Sequence, residues 1–312
     1  MIPPRLHPYV AEVVGTFILV LFGTGSVAAA VLTDAQVGLW QVAVVWGFGV
    51  TLAIYATASV SGAHLNPAVS LALAVFRPED FPRARLLPYW GSQLLGAVLG
   101  GLAILATFGP FIERFEDERG IVRGEPGSQA SAMVFGEYFP NPAMFGTDEA
   151  AFELVSPLMA AGVEAFGTAV LVFMIFALVD RWNSGRPGAS LAPFFIGFTV
   201  AALISLFAPI TQAAWNPARD FGPRLVALAA GWDSIAIPGP RNGFWVYIVG
   251  PLVGGLAGAW IYERAIRPGM RAASKAALPV ATLSSSGPSD VVPSAAGSSL
   301  DGAREGTAAR RD

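Results

Sequence analysis

Two helix starts lie where a membrane-embedded chain can least tolerate them. One is Asn66-Pro67-Ala68, reached through Ser61-Gly62-Ala63-His64-Leu65; the other, 150 positions later, is Asn216-Pro217-Ala218, reached through Gln212-Ala213-Ala214-Trp215. Each puts Asn where an N-cap belongs and Pro at the first helical position, where a missing N–H costs nothing. The apolar run after the first, residues 67–77, would be about 16 Å long as a helix, half of a bilayer core of about 30 Å. A helix that begins at that depth must find partners for its first N–H groups, so its start must line a polar cavity or be buried in protein. Two such ends predict a pore lining.

The surrounding chain supplies the membrane. With 54% hydrophobic and 13% charged residues it falls outside the soluble range. Six apolar segments, roughly 9–31, 38–60, 86–108, 158–179, 191–209 and 243–262, are long enough to cross a bilayer. The runs after each Asn-Pro-Ala, 67–76 and 217–230, are too short and read as re-entrant half-helices. No cleavage site of small residues precedes the first segment, which reads as a retained span.

The two halves repeat. Glu12-x-x-Gly15-Thr16 recurs as Glu164-x-x-Gly167-Thr168, Gly47-Phe48 as Gly197-Phe198, and Gly96 with Gly100-Gly101 as Gly250 with Gly254-Gly255. Three crossings per half turn the second half upside down, so the half-helices enter from opposite faces and meet near the midplane. The expected fold is an all-α integral membrane bundle of six spans and two half-helices. Its channel unit is 1–270, with inverted repeats at about 9–108 and 158–265 joined by an acidic external loop, 109–157. The paired glycines would let helices approach closely.

Arg5, the group Arg77, Arg83 and Arg85, then Arg181, Arg186 and Arg264 to Lys275 fall on one side. Arg114, Arg119 and Arg123 on the other are diluted by five carboxylates. The positive-inside rule makes both termini cytoplasmic, in a cell membrane, inner or plasma. Residues 271–312, rich in Ser, Ala, Gly and Pro, are expected to be a disordered tail. A net charge of −3 gives no nucleic-acid footprint. With no Cys, and His only at 7 and 64, no metal site or cofactor is expected. No nucleophile-base set or phosphate loop points to an enzyme.

As caps, Asn66 and Asn216 would use their side-chain carbonyls on the following turn and leave their amide NH2 groups to a lumen. The facing helix dipoles would repel cations there. Arg219 is the sharpest signal, since a charge at membrane depth costs about 2.5–3.5 kcal/mol; it lines water or pairs with a carboxylate. Asp220 either belongs to the site or favours the first helical turn. Glu12 and Glu164 are intramembrane carboxylates at equivalent positions, with proton relay as one reading. His64 faces a vestibule or bonds a loop carbonyl. A third box, Asn141-Pro142-Ala143, has no half-helix behind it and reads as a turn.

The paired boxes, Ser61-Gly62-Ala63-His64 before the first, and Arg219-Asp220-Phe221-Gly222-Pro223 after the second resemble the major intrinsic protein family over about residues 9–265. Asp220 after Arg219 resembles its glycerol-facilitator, or aquaglyceroporin, branch. The resemblance implies a homotetramer in the lipid bilayer with one pore per chain. It assigns Glu12 and Glu164 the role of accepting loop N–H groups. It also implies a constriction at Trp46, Ile204, Ala213 and Arg219. Trp46 matches the glycerol-channel pattern, but Ile204 stands where Gly is usual and Ala213 where an aromatic is usual, closer to the plant nodulin-like members. The function implied is passive passage of glycerol and related neutral solutes, with water, excluding ions and protons. A water-selective pore, a urea or metalloid-hydroxide channel and a secondary transporter are the alternatives.

Overall fold

The computed structural model describes residues 2–276. In chain order it contains α1 (His7–Thr33), α2 (Leu39–Ser61), α3 (Pro67–Phe76), α4 (Leu86–Arg119), the short turns α5 (Gln129–Ala132), α6 (Pro142–Phe145) and α7 (Glu149–Leu154), then α8 (Pro157–Val179), α9 (Ala192–Thr211), α10 (Pro217–Ala227), α11 (Asp233–Ala236), α12 (Val246–Ile261) and α13 (Arg267–Ala276). Among the described residues, six helical stretches are long and apolar enough to cross a membrane, and α3 is a shorter apolar helix between the second and third. This is a multi-pass, all-helical membrane protein.

Its packing repeats the internal symmetry of the sequence. α1 packs on α2 and α4, as α8 packs on α9 and α12; α2 meets α9 at the centre. Each half-helix crosses into the other repeat, α3 against α12 and α10 against α4. The glycines pay off where backbones touch: a Cβ at Gly47 or Gly197 would run into the other's carbonyl, and one at Gly254 into the backbone of Ala165. The hydrophobic effect is weak between lipid-facing surfaces, so such close contacts carry the helix association.

Three boundaries differ from the sequence expectation. The external segment is not a loop from residue 109, because α4 runs to Arg119 before Gly120 (φ 63°) ends it in the left-handed conformation. Ile112 and Phe115 keep that extension buried on one face, and Arg114 pairs with Glu118 at 2.7 Å on the other. The rest folds down onto the bundle, with Ala132 through Pro142 buried. At the far end, α13 keeps the chain helical to Ala276, past the expected onset of disorder at 271–272; the remainder of the expected tail lies outside the described residues. The second half-helix ends at Ala227 and widens into a π-turn over Leu228–Trp232. Asn141 does more than form a turn: it caps α6 through Ala143 N–H (3.0 Å) and donates to Ala208 O (3.1 Å), tying the external segment to α9.

Candidate functional site: a cavity between facing half-helices

The two re-entrant loops have the same local conformation for the same reason. Gly62, Ala63 and Leu65 have φ of 85°, 49° and 53°; their repeat mates Gln212, Ala213 and Trp215 have 59°, 65° and 47°. Left-handed backbone costs a non-glycine residue about 1–2 kcal/mol, so something must hold each loop open. A buried carboxylate does. Glu12 accepts His64 N–H (2.9 Å) and Leu65 N–H (2.8 Å), and also Ser61 Oγ–H and Gln93 Nε2–H. Glu164 accepts Ala214 N–H (3.1 Å), Trp215 N–H (2.8 Å) and Thr211 Oγ1–H. Every carboxylate oxygen is committed to the loops, which leaves the proton-relay reading without a free group.

Past each loop, Asn66 caps α3 through Ala68 N–H (2.9 Å) and Asn216 caps α10 through Ala218 N–H (3.1 Å). Their amides are not wholly free. Asn66 Nδ2 donates to Trp215 O and Asn216 Nδ2 to Leu65 O, both at 2.8 Å. This reciprocal pair pins the half-helices nose to nose, and each NH2 keeps its second hydrogen. Pro67, Ala68, Pro217 and Ala218 are buried behind the asparagines and serve the helix starts.

A cavity of about 330 Å³ runs past this junction. Asn66, Asn216, Trp46, Ile204, Ala213, Arg219 and His64 all line it. His64 is oriented by Ser70 Oγ (Nδ1, 3.1 Å) and by the Phe81 ring, 4.4 Å between centroids, not by a loop carbonyl. The remaining wall is mostly apolar, with Leu19, Val50, Leu171 and Val200 among its residues. Arg219 lies over the Trp46 ring, 4.2 Å from its centroid, and pairs with Glu137. Arg219 is thus both paired with a carboxylate and part of the cavity wall.

Asp220, Glu12 and Glu164 do not line the cavity. Asp220 is fully buried, accepting Glu137 N–H at Oδ1 and Arg224 Nε–H at Oδ2, both at 2.7 Å. Sequence reasoning missed Glu137, Arg224 and Gln93. Glu137 had one available signal, a single carboxylate inside the otherwise uncharged stretch from Gln129 to Phe145. Arg224 had a better one, its i,i+4 spacing from Asp220 on a half-helix.

A helical bundle in which two half-length helices enter a shared cavity from opposite repeats, with their N-termini in register, is the architecture of a membrane channel. The chain belongs to the major intrinsic protein family, whose model matches residues 3–262. It is 41% identical over 259 residues to a glycerol uptake facilitator protein of Haemophilus influenzae, covering 82% of this chain and 92% of the relative. A propanediol uptake facilitator of Citrobacter freundii is 41% identical over 256 residues, covering 81% and 90%. The crystal structure of the aquaglyceroporin from Plasmodium falciparum superposes with a TM-score of 0.71 at 26% identity, covering 86% of this chain and 99% of that one.

Proposed function

We propose that the protein is a passive channel for glycerol and related small neutral solutes, conducting water and excluding ions and protons. The observation that carries this reading is the pair of half-helix N-termini locked together by Asn66 and Asn216 on the wall of one cavity. The positive ends of both helix dipoles converge there, and Arg219 adds a charge of the same sign, so a cation meets an unfavourable field. A neutral polyol meets compensation instead. Its hydroxyls accept from the asparagine amides and the guanidinium and donate to loop carbonyls, while its C–H groups lie against Trp46 and Ile204. The apolar Ile204 favours this reading over a water-selective pore. The names of the relatives, glycerol and propanediol uptake facilitators, support the same solute class.

In this reading residues 1–270 are the channel unit, embedded in the lipid of the cell membrane as a homotetramer. The charge asymmetry of the sequence supports cytoplasmic termini. The test is light-scattering permeability of proteoliposomes to glycerol, water and urea, with proton current recorded on the same preparation. Rapid glycerol flux without proton conductance and without coupling to an ion gradient is expected. Voltage-dependent proton current, or transport driven by an ion gradient, would refute it.

A further inference from the structure

We infer that Arg224, which does not touch the cavity, is a positioning residue for Arg219 and so sets the size limit of the pore. The inference rests on the reading above, in which Arg219 is the group that solutes meet at the constriction. Arg224 is 1% exposed. Its three donor positions diverge: Nε to Asp220 Oδ2 (2.7 Å), Nη1 to Ala236 O (2.8 Å) and Nη2 to Glu137 O. Asp220 Oδ1 accepts the N–H of the same Glu137 at 2.7 Å. The Asp220/Arg224 pair, one turn apart on α10, thus holds both backbone polar groups of Glu137. The next N–H, that of Tyr138, is taken by Gln212 Oε1 at 2.8 Å. With its backbone gripped on both sides, Glu137 presents its carboxylate to Arg219.

The chain of contacts closes on itself. It leaves α10 at Asp220 and Arg224, passes through the Glu137 backbone and side chain, and returns to α10 at Arg219. Its four charges, Arg219, Asp220, Arg224 and Glu137, sum to zero and are all buried. Stability alone does not account for this arrangement, because buried ion pairs are often replaced by apolar groups without loss. What an apolar group cannot do is fix a carboxylate and two carbonyls at once; the planar guanidinium does so with donors spread over three nitrogens, whereas an ammonium offers its three donors from a single point. The environment is shaped for it. The Tyr138 and Tyr247 rings flank it with centroids at 4.7 and 5.3 Å, and Gly136 leaves the space its stem occupies, where a Cβ would stand 2.7 Å from Nε.

Arg224→Lys tests the idea because it keeps the cluster neutral and the pairing with Asp220 possible while losing the fork. The readout is the permeability ratio of glycerol to a linear five-carbon polyol in proteoliposomes. Arg219→Ala is expected to lower that ratio by opening the constriction. Arg224→Lys is expected to lower it by about three- to tenfold, the range set by one lost buried hydrogen bond, and to add no further fall in an Arg219→Ala background. Gly136→Ala, which displaces the Arg224 stem without changing any charge, serves as the second variant and is expected to act in the same direction. A purely structural role would lower the flux of every solute by a common factor. If both variants did so with the ratio unchanged, or if their effects added in full to Arg219→Ala, the inference would be overturned. If Arg219→Ala itself left the ratio unchanged, the assignment of the constriction would fall, and this inference with it.

Discussion

At the level of single residues, the constriction proposed above would have one polar wall and one apolar wall, and the two are built differently. Arg219 is held by Glu137 and stacked on Trp46; Ile204 comes from the second half of α9 and Ala213 from the loop that follows it. Ile204→His places a polar ring with a donor in the apolar wall, whereas Ala213→Phe narrows the opening without changing its polarity. Ile204→His should therefore lower the glycerol-to-water permeability ratio about tenfold, equivalent to ~1.4 kcal/mol between the two barriers, and Ala213→Phe by less. Paired stopped-flow measurements giving the reverse order would remove these positions from the constriction. Arg219 was legible as a lone cation beside a buried helix start. Its partner was harder to read: Glu137 sits 82 positions earlier, and although it is a lone carboxylate in an uncharged stretch, that pattern does not say which cation it meets.

Among the elements, the half-helices were the most legible feature, because Asn-Pro is a local signal and half a bilayer is a length that can be counted. The extent of α4 was less so. The apolar run stops near residue 108, and the helix continues on its buried face and its surface ion pair instead of on hydropathy. The loops before the half-helices depend on Glu12 and Glu164, and this dependence can be measured. Glu164→Gln replaces one acceptor oxygen with an NH2 group, aimed either at Thr211 Oγ1–H and Ala214 N–H, which share Oε1, or at Trp215 N–H on Oε2. Either way a buried backbone N–H is left unpaired, at about 1–3 kcal/mol. Thermal unfolding in detergent should shift downward for Glu164→Gln and for its mate Glu12→Gln by similar amounts. A shift for neither variant would show that the left-handed loops stand without their carboxylates.

Across the whole molecule the two repeats agree in every crossing but not at their outer ends, and that asymmetry is where the sequence pattern stopped being informative. Arg77, which reads in sequence as one more flanking cation, is buried at the end of α3 and completes a closed ring of alternating charge. It pairs with Asp180 (3.3 Å) and Glu263 (2.7 Å), and Arg267 pairs with the same two carboxylates at 2.9 and 2.7 Å. The ring fastens the far end of the first half-helix to the end of α8 and to the helical turns between α12 and α13. The end of α10 is fastened differently: it closes on Trp232, which donates to Ser131 Oγ (3.0 Å) and lies under Arg123, itself paired with Glu116 at 2.9 Å. Burial pushes the Asp180 carboxyl up, but the Trp182 N–H, Arg267 and Arg77 outweigh it and hold the group below its ordinary value. A carboxyl depressed in the folded state adds stability above its unfolded value, about 3.9, and that stability is lost as pH falls through the folded value. The melting temperature of the wild-type protein in detergent should thus exceed that of Asp180→Asn by a constant margin above about pH 5, narrowing below about pH 4. Arg77→Ala, which strands two carboxylates on one remaining arginine, should cost about 3–5 kcal/mol at neutral pH. A margin that persisted unchanged into strong acid would mean that the ring does not hold the half-helix in place.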